Sequence, residues 1–440
     1  MNLSCLTYDE RNNVEHQLIG ALLQSDRLRA LNIIKQFGQK SELMDRFFNE
    51  SYWSNIPVLI YQRIGELNLA EAMQAPKLSN GENVFEKMRE TAAQGVLEYQ
   101  TMSDRLRWLI NAMDPLLEHV VWLKGTTLSR SLYQQGNHRL SLDFDIVVAE
   151  EYKDKVLGRL EADGFWPIWN EPGYCHQYGV GPVGSLTDLN LTPTSDNETC
   201  HNLTLKKEGP NPLVDFKLHP LDTGLRMKEA RRFFAEAKPV NWAAGKLLAP
   251  STIDHLIISL LHFHKHGFCG WGWLYDIHLL TNKLSETPEL WPEFIRRCQL
   301  EGIKTSAAKG LEIAKYHLSS SISEDVLQEL QTWQSQYLPG SIMRITSTEF
   351  VWNCNSLPML LLNAAVMGDA RRKMQVLLMS ILPEKQFLSQ YYADGKAISW
   401  HNYVVFLVLH WLVLLLPAGL IRRTYGKIYW RPYPNEDKSK

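Results

Sequence analysis

The stretch Asp143-Phe144-Asp145-Ile146-Val147-Val148 constrains the fold more than any other part of the chain. Side chains alternate faces along a β-strand, so Leu142, Phe144 and Ile146 enter a core while Asp143 and Asp145 project together from the other side. Two carboxylates that close repel, and one takes up a proton unless a cation lies between them. A divalent metal is the ordinary partner of such a pair. The chain therefore needs a sheet that is apolar on one face and carries charge on the other at this strand.

The surroundings of the pair are equally informative. Upstream, Val120-Val121-Trp122-Leu123 is a short apolar run of strand type that meets Lys124-Gly125, and Thr126-Thr127 can cap a helix carrying Leu128 and Leu132. A strand that ends in a small residue at a helix N-terminus presents backbone N–H groups to a phosphate chain, which makes Gly125 and Thr126 nucleotide-binding candidates. Lys124 and Arg139 are either phosphate ligands beside them or ion-pair partners of the aspartates. A third carboxylate comes from Val214-Asp215-Phe216, again flanked by apolar residues pointing the other way. If its strand lies beside that of Asp143 and Asp145, the three carboxylates can hold two Mg²⁺ or Mn²⁺ ions, the apparatus of nucleotidyl transfer.

These residues carry a family resemblance. Leu123-Lys124-Gly125, Leu132-Tyr133, Arg139, Asp143-Phe144-Asp145-Ile146-Val147, Gly164-Phe165 and Val214-Asp215-Phe216 resemble, in order, the motifs of the polymerase-beta-like nucleotidyltransferase superfamily. The closer likeness is to a bacterial branch of uncharacterised nucleotidyltransferases, which also has a His-rich helical stretch similar to His262 through Trp273 to Asp276. One position departs from the pattern: the His two residues after the third carboxylate is Lys217 here, with His219 two further on. The resemblance covers most of residues 119 to 282. It implies transfer of a nucleoside monophosphate from an NTP, with Asp143, Asp145 and Asp215 as metal ligands.

Periodicity organises the rest. Apolar residues recur at helical spacing from Val14 to about Gly38 and from Phe85 to Ile110, with a loop expected over Gln74 to Asn83 and Pro115 closing the long helix. Leu203 to Lys206 and Leu213 to Leu218 read as a hairpin around Glu208-Gly209-Pro210-Asn211-Pro212. After Pro250 the pattern is helical again to about Leu382. The expected class is α+β: a polymerase-beta-like core with a short mixed sheet at 116–245, helical domains at 1–115 and 246–385, and an apolar helix with a basic tail at 386–440.

Composition narrows the partners. The 46 Lys and Arg nearly balance the 48 Asp and Glu, giving a formal net charge of -2, so no global field gathers a long nucleic acid. A small molecule, a peptide or a protein side chain is the favoured acceptor. The 6 cysteines include no short-spaced pair, which argues against a zinc knuckle or disulfide framework. Met1 to Asn12 is polar and does not read as a signal peptide, so a cytoplasmic location is expected.

Two stretches leave several readings open. His262 and His266 share a helix face while His264 does not, which is compatible with a metal, a nucleotide contact or packing; Asp276 is placed to bond one of them. Tyr403 to Leu420 is almost wholly apolar and is followed by Arg422, Arg423, Lys427 and Arg431, as suits a packed helix, a membrane span or an interfacial helix giving peripheral membrane contact. Two rival functions remain: a metal-dependent glycosyltransferase, whose Asp-x-Asp also binds a nucleotide diphosphate, and a non-catalytic subunit built on the same scaffold. The first would need a nucleotide-binding α/β domain before the motif, where residues 1 to 115 read as helical.

Overall fold

Short apolar runs bounded by turn residues become strands, and the longer periodic segments become helices around them. The structure is a computed structural model that describes residues 14–141, 143–167, 203–207, 213–221, 227–242, 245–266, 268, 270–331 and 399–415, with a few single positions between 374 and 388. The first part is helical: α1 (Val14–Leu23), α2 (Arg27–Phe37), α3 (Ser41–Trp53), α4 (Pro57–Glu66) and the long α5 (Val84–Met113). Then follow β1 (Val120–Trp122), α6 (Gly125–Ser131), β2 (Asp143–Val148), α7 (Lys153–Ala162), β3 (Phe165–Pro167), β4 (Leu203–Lys207), β5 (Leu213–Lys217), α8 (Ala230–Ala235), β6 (Lys238–Trp242) and β7 (Gly245–Ala249). Helices return with α9 (Thr252–Lys265), α10 (Trp271–Ser285), α11 (Trp291–Leu300), α12 (Lys304–Leu318), α13 (Glu324–Leu330) and α14 (Trp400–Leu415).

Among the described residues the strands form one mixed sheet in the order β3-β4-β5-β2-β1-β7-β6. β2 pairs antiparallel with β1 and parallel with β5, so it sits near the centre with both edges covered. The hairpin expected from β4 and β5 is present, with Leu205 opposite Val214; its turn lies outside the described residues.

The two faces of this sheet meet two cores. Val120, Trp122, Phe144, Ile146, Val148, Val214 and Phe216 pack on Leu106, Leu109 and Ile110 of α5 and on Val156, Leu157 and Leu160 of α7. Val121, Leu123 and Val147 face the other way, into a larger core made by α1–α4 together with α9–α13. α1–α4 and α9–α13, which the sequence assigns to two separate domains, thus share one core. Trp271 is completely buried there, between the rings of His16 and His317.

Local chemistry sets several boundaries. The apolar pattern from Val14 to Gly38 is broken into two helices where Ser25 takes a left-handed φ of 59° and the Asp26 side chain accepts from the Arg29 amide; Leu28, on the interrupted pattern, is exposed. Asn83 caps α5 in the same way, and Gly164, at φ 83°, lets the chain leave α7 for β3. α14 has 16 residues, about 24 Å at 1.5 Å per residue, against a hydrocarbon layer of about 30 Å. No helix among the described residues is long and apolar enough to cross a membrane; positions 416–420 of the apolar stretch lie outside them.

Candidate active site

The site begins at the turn from β1 into α6. The Leu123 amide donates to the Asp145 carbonyl at 3.0 Å, and the chain then reverses at Lys124, whose φ of 50° and ψ of -135° lie where only glycine rests comfortably. Gly125 follows because nothing larger fits: a Cβ there would stand 2.9 Å from Ser141 Oγ and 3.0 Å from Ser141 Cβ. Ser141 Oγ in turn donates to the Asp143 carbonyl at 2.9 Å. The first turn of α6, the 139–141 segment and the start of β2 are therefore held against one another.

The register of β2 and β5 places the carboxylates. Asp145 and Asp215 are directly paired, and Asp143, two residues earlier on β2, shares their face. Asp145 is buried, while Asp143 and Asp215 are partly exposed. Burial, with Asp145 and Asp215 alongside, pushes the Asp143 carboxyl up to about 7, against the opposing pull of Lys124 and Lys217.

Both lysines reach the same oxygen. Lys124 Nζ lies 2.9 Å and Lys217 Nζ 2.6 Å from Asp145 Oδ1. Lys217 is enclosed at 2 % exposure, whereas the side chain of Lys124 keeps 13 %. Sequence reasoning noted position 217 only as a departure from a pattern. The signal was nevertheless present, because a residue two past Asp215 on the same strand must share its face.

Two ammonium groups thus stand within the expected carboxylate cluster. Among the described residues, no three His, Cys, Asp or Glu side chains converge closely enough to hold a metal ion by themselves. The donor set still suits Mg²⁺, which is commonly held by one or two carboxylates while substrate phosphates and water complete its shell. When Asp143 is ionised, three carboxylates against two ammonium groups leave one negative charge in excess for such an ion.

Arg139 has a different partner from either one expected. Its Nε and Nη2 engage the carboxylate of Asp276 on α10 at 3.0–3.1 Å, and Nη1 donates to the Leu140 carbonyl at 2.6 Å. Tyr133 Oη donates to the same Asp276 at 2.6 Å, and all three groups are buried. Asp276 is thus committed to Arg139 and Tyr133 rather than to a histidine. The guanidinium fixes the loop before β2 to the helical layer.

A small cleft lies beside Gly125 and Thr126, walled by Tyr99 and Met102 of α5, Arg139, Phe144 and Trp242. Thr126 Oγ1 is buried and has no hydrogen-bond partner, and the same holds for Trp242 Nε1. Tyr99 and Trp242 stack with centroids 6.4 Å apart. A buried hydroxyl without a partner costs free energy unless a ligand supplies one.

The His-rich stretch packs. His266 stacks on Trp273 at 4.1 Å, His262 meets the edges of both rings, and His264 Nδ1 bonds Ser306 Oγ at 2.9 Å. Cys298 is a buried free thiol; the other cysteines lie outside the described residues.

No curated protein and no solved structure matches the chain. A family does, over residues 41–319, a span holding the β1–α6 turn, all three carboxylates and the Arg139–Asp276 pair. The sheet that aligns those carboxylates, the helices that brace it and the extent of this match together place the chain in a family of uncharacterised nucleotidyltransferases.

Proposed function

We propose that the chain is a metal-dependent nucleotidyltransferase with a polymerase-beta-like core, moving a nucleoside monophosphate from an NTP to a small-molecule, peptide or protein acceptor and releasing pyrophosphate. The observation that supports this best is the register of β2 and β5, which sets Asp145 against Asp215 with Asp143 on the same face. Asp143 and Asp145 would hold Mg²⁺ or Mn²⁺, and Asp215 would complete the site near the acceptor hydroxyl. A bound ion supplies neutralisation of the phosphate charge and a lower pKa for that hydroxyl.

The remaining roles follow from position. Lys124, the more accessible of the two lysines, turns from Asp145 to the phosphates when a nucleotide enters. Thr126 and Gly125 line the cleft beside it, where the Thr126 hydroxyl gains the partner it lacks. Arg139 acts as a positioning residue through Asp276. In the transfer, the acceptor oxygen bonds to the α-phosphorus, the bond to pyrophosphate breaks, and the hydroxyl proton is lost. A near-neutral surface, with 46 basic against 48 acidic residues, favours a compact acceptor over a long nucleic acid.

The test is incubation with each α-labelled NTP, Mg²⁺ and a cell extract. The expected result is label on an acceptor with release of pyrophosphate, reduced by about 10³-fold or more in Asp143→Asn. UDP release from a UDP-sugar would select the glycosyltransferase instead, and the absence of both reactions would select a non-catalytic subunit.

A further inference from the structure

We infer that Lys217 is a built-in cation occupying one of the two positive positions of the carboxylate cluster, so that the chain takes up a single divalent ion with its nucleotide. The inference rests on the nucleotidyl-transfer reading and adds the number of ions to it. Three observations support it.

The first is placement. Lys217 lies on β5 two residues past Asp215, so its side chain rises from the same face as the carboxylates, and its Nζ stands 2.6 Å from Asp145 Oδ1. A cation on the central strands at that distance does for Asp145 what a second ion would do. The second is enclosure. At 2 % exposure Lys217 is enclosed, and swinging it away would break a buried carboxylate–ammonium pair. Lys124 differs: its side chain is 13 % exposed and leaves from a loop, so it can exchange Asp145 for a phosphate. The third is charge. Once Lys124 has turned to the phosphates, Lys217 still offsets one of the three carboxylate charges, and no three acidic or His ligands converge among the described residues.

The experiment counts ions directly. Full-length protein is titrated with Mn²⁺ in the presence of an ATP analogue whose α,β-bridging oxygen is a methylene group, and bound Mn²⁺ is read from loss of the free-ion electron paramagnetic resonance signal, with analogue alone as the reference. We expect one Mn²⁺ per chain in the native protein and two in Lys217→Met. Two ions in the native protein, or one in a folded Lys217→Met, would overturn the inference and leave nucleotidyl transfer standing. No nucleotide-dependent Mn²⁺ uptake at all would overturn the nucleotidyl-transfer reading, and the inference with it. If Lys217→Met fails to fold, the count on the native protein decides alone.

Discussion

Asp143 and Asp145 sit two residues apart on one strand face, yet their electrostatic situations are opposite. Asp145 is the counter-ion of two lysines, one of them enclosed, whereas burial, with like charge alongside, pushes Asp143 up to about 7. Removing the carboxylate of Asp145 leaves Lys217 buried without its main partner, a change that costs about 3–5 kcal/mol in comparable buried pairs. Asp143→Asn instead removes repulsion at nearly constant volume. Urea denaturation without metal should therefore show Asp145→Ala destabilised by several kcal/mol and Asp143→Asn at or above native stability; equal losses would refute the asymmetry. Asp143→Asn is consequently the cleaner probe of chemistry. Nothing in Asp-x-Asp tells from sequence alone which carboxylate a distant lysine will choose.

At the level of elements, the β1–α6 turn depends on the absence of a side chain at Gly125. Gly125→Ala should push the first turn of α6 away from Ser141 and lower transfer about tenfold or more, since misplacing reacting groups by an ångström can cost more than that. Ser141→Gly in the same chain should recover part of the loss, and no recovery would mean the glycine matters for another reason. On α9 and α10, burial pulls His255 down to about 3 and His278 down to about 4, and His255 Nε2 has no hydrogen-bond partner. Both imidazoles stay neutral in the fold while the unfolded chain takes up protons below about 6.5, so stability falls as pH drops from there toward 4. The chain with His255→Leu should lose less stability over that interval than the native protein in urea melts at each pH. Alternation and helical spacing made these elements legible in the sequence, because each is written in consecutive residues. The split between α1 and α2 and the pairing of Arg139 with Asp276 were not, since one turns on a single left-handed Ser25 and the other joins groups 137 positions apart.

Taken whole, the molecule is a sheet whose carboxylate face is closed by helices from both ends of the chain. Because Val121, Leu123, Leu128, Val147 and Phe233 belong to the core that α1–α4 and α9–α13 build, we expect the span 116–245 not to fold alone. That fragment expressed alone should lack a cooperative thermal transition, whereas residues 1–331 together should retain one by circular dichroism; a cooperative melt of the fragment would refute the shared core. The third carboxylate was the hardest to place from sequence for a related reason. β2 and β5 are neighbours only in space, and between them the chain runs through α7, β3, β4 and the long stretch 168–202. Their alignment is kept by backbone pairing from Asp143–Leu213 to Val147–Lys217, not by the length of the path that joins them. A change in the length of that path that leaves α7 and β4 in place therefore does not move Asp215 relative to Asp145. The distance along the chain between the two strands can thus vary while the register of the carboxylates stays fixed.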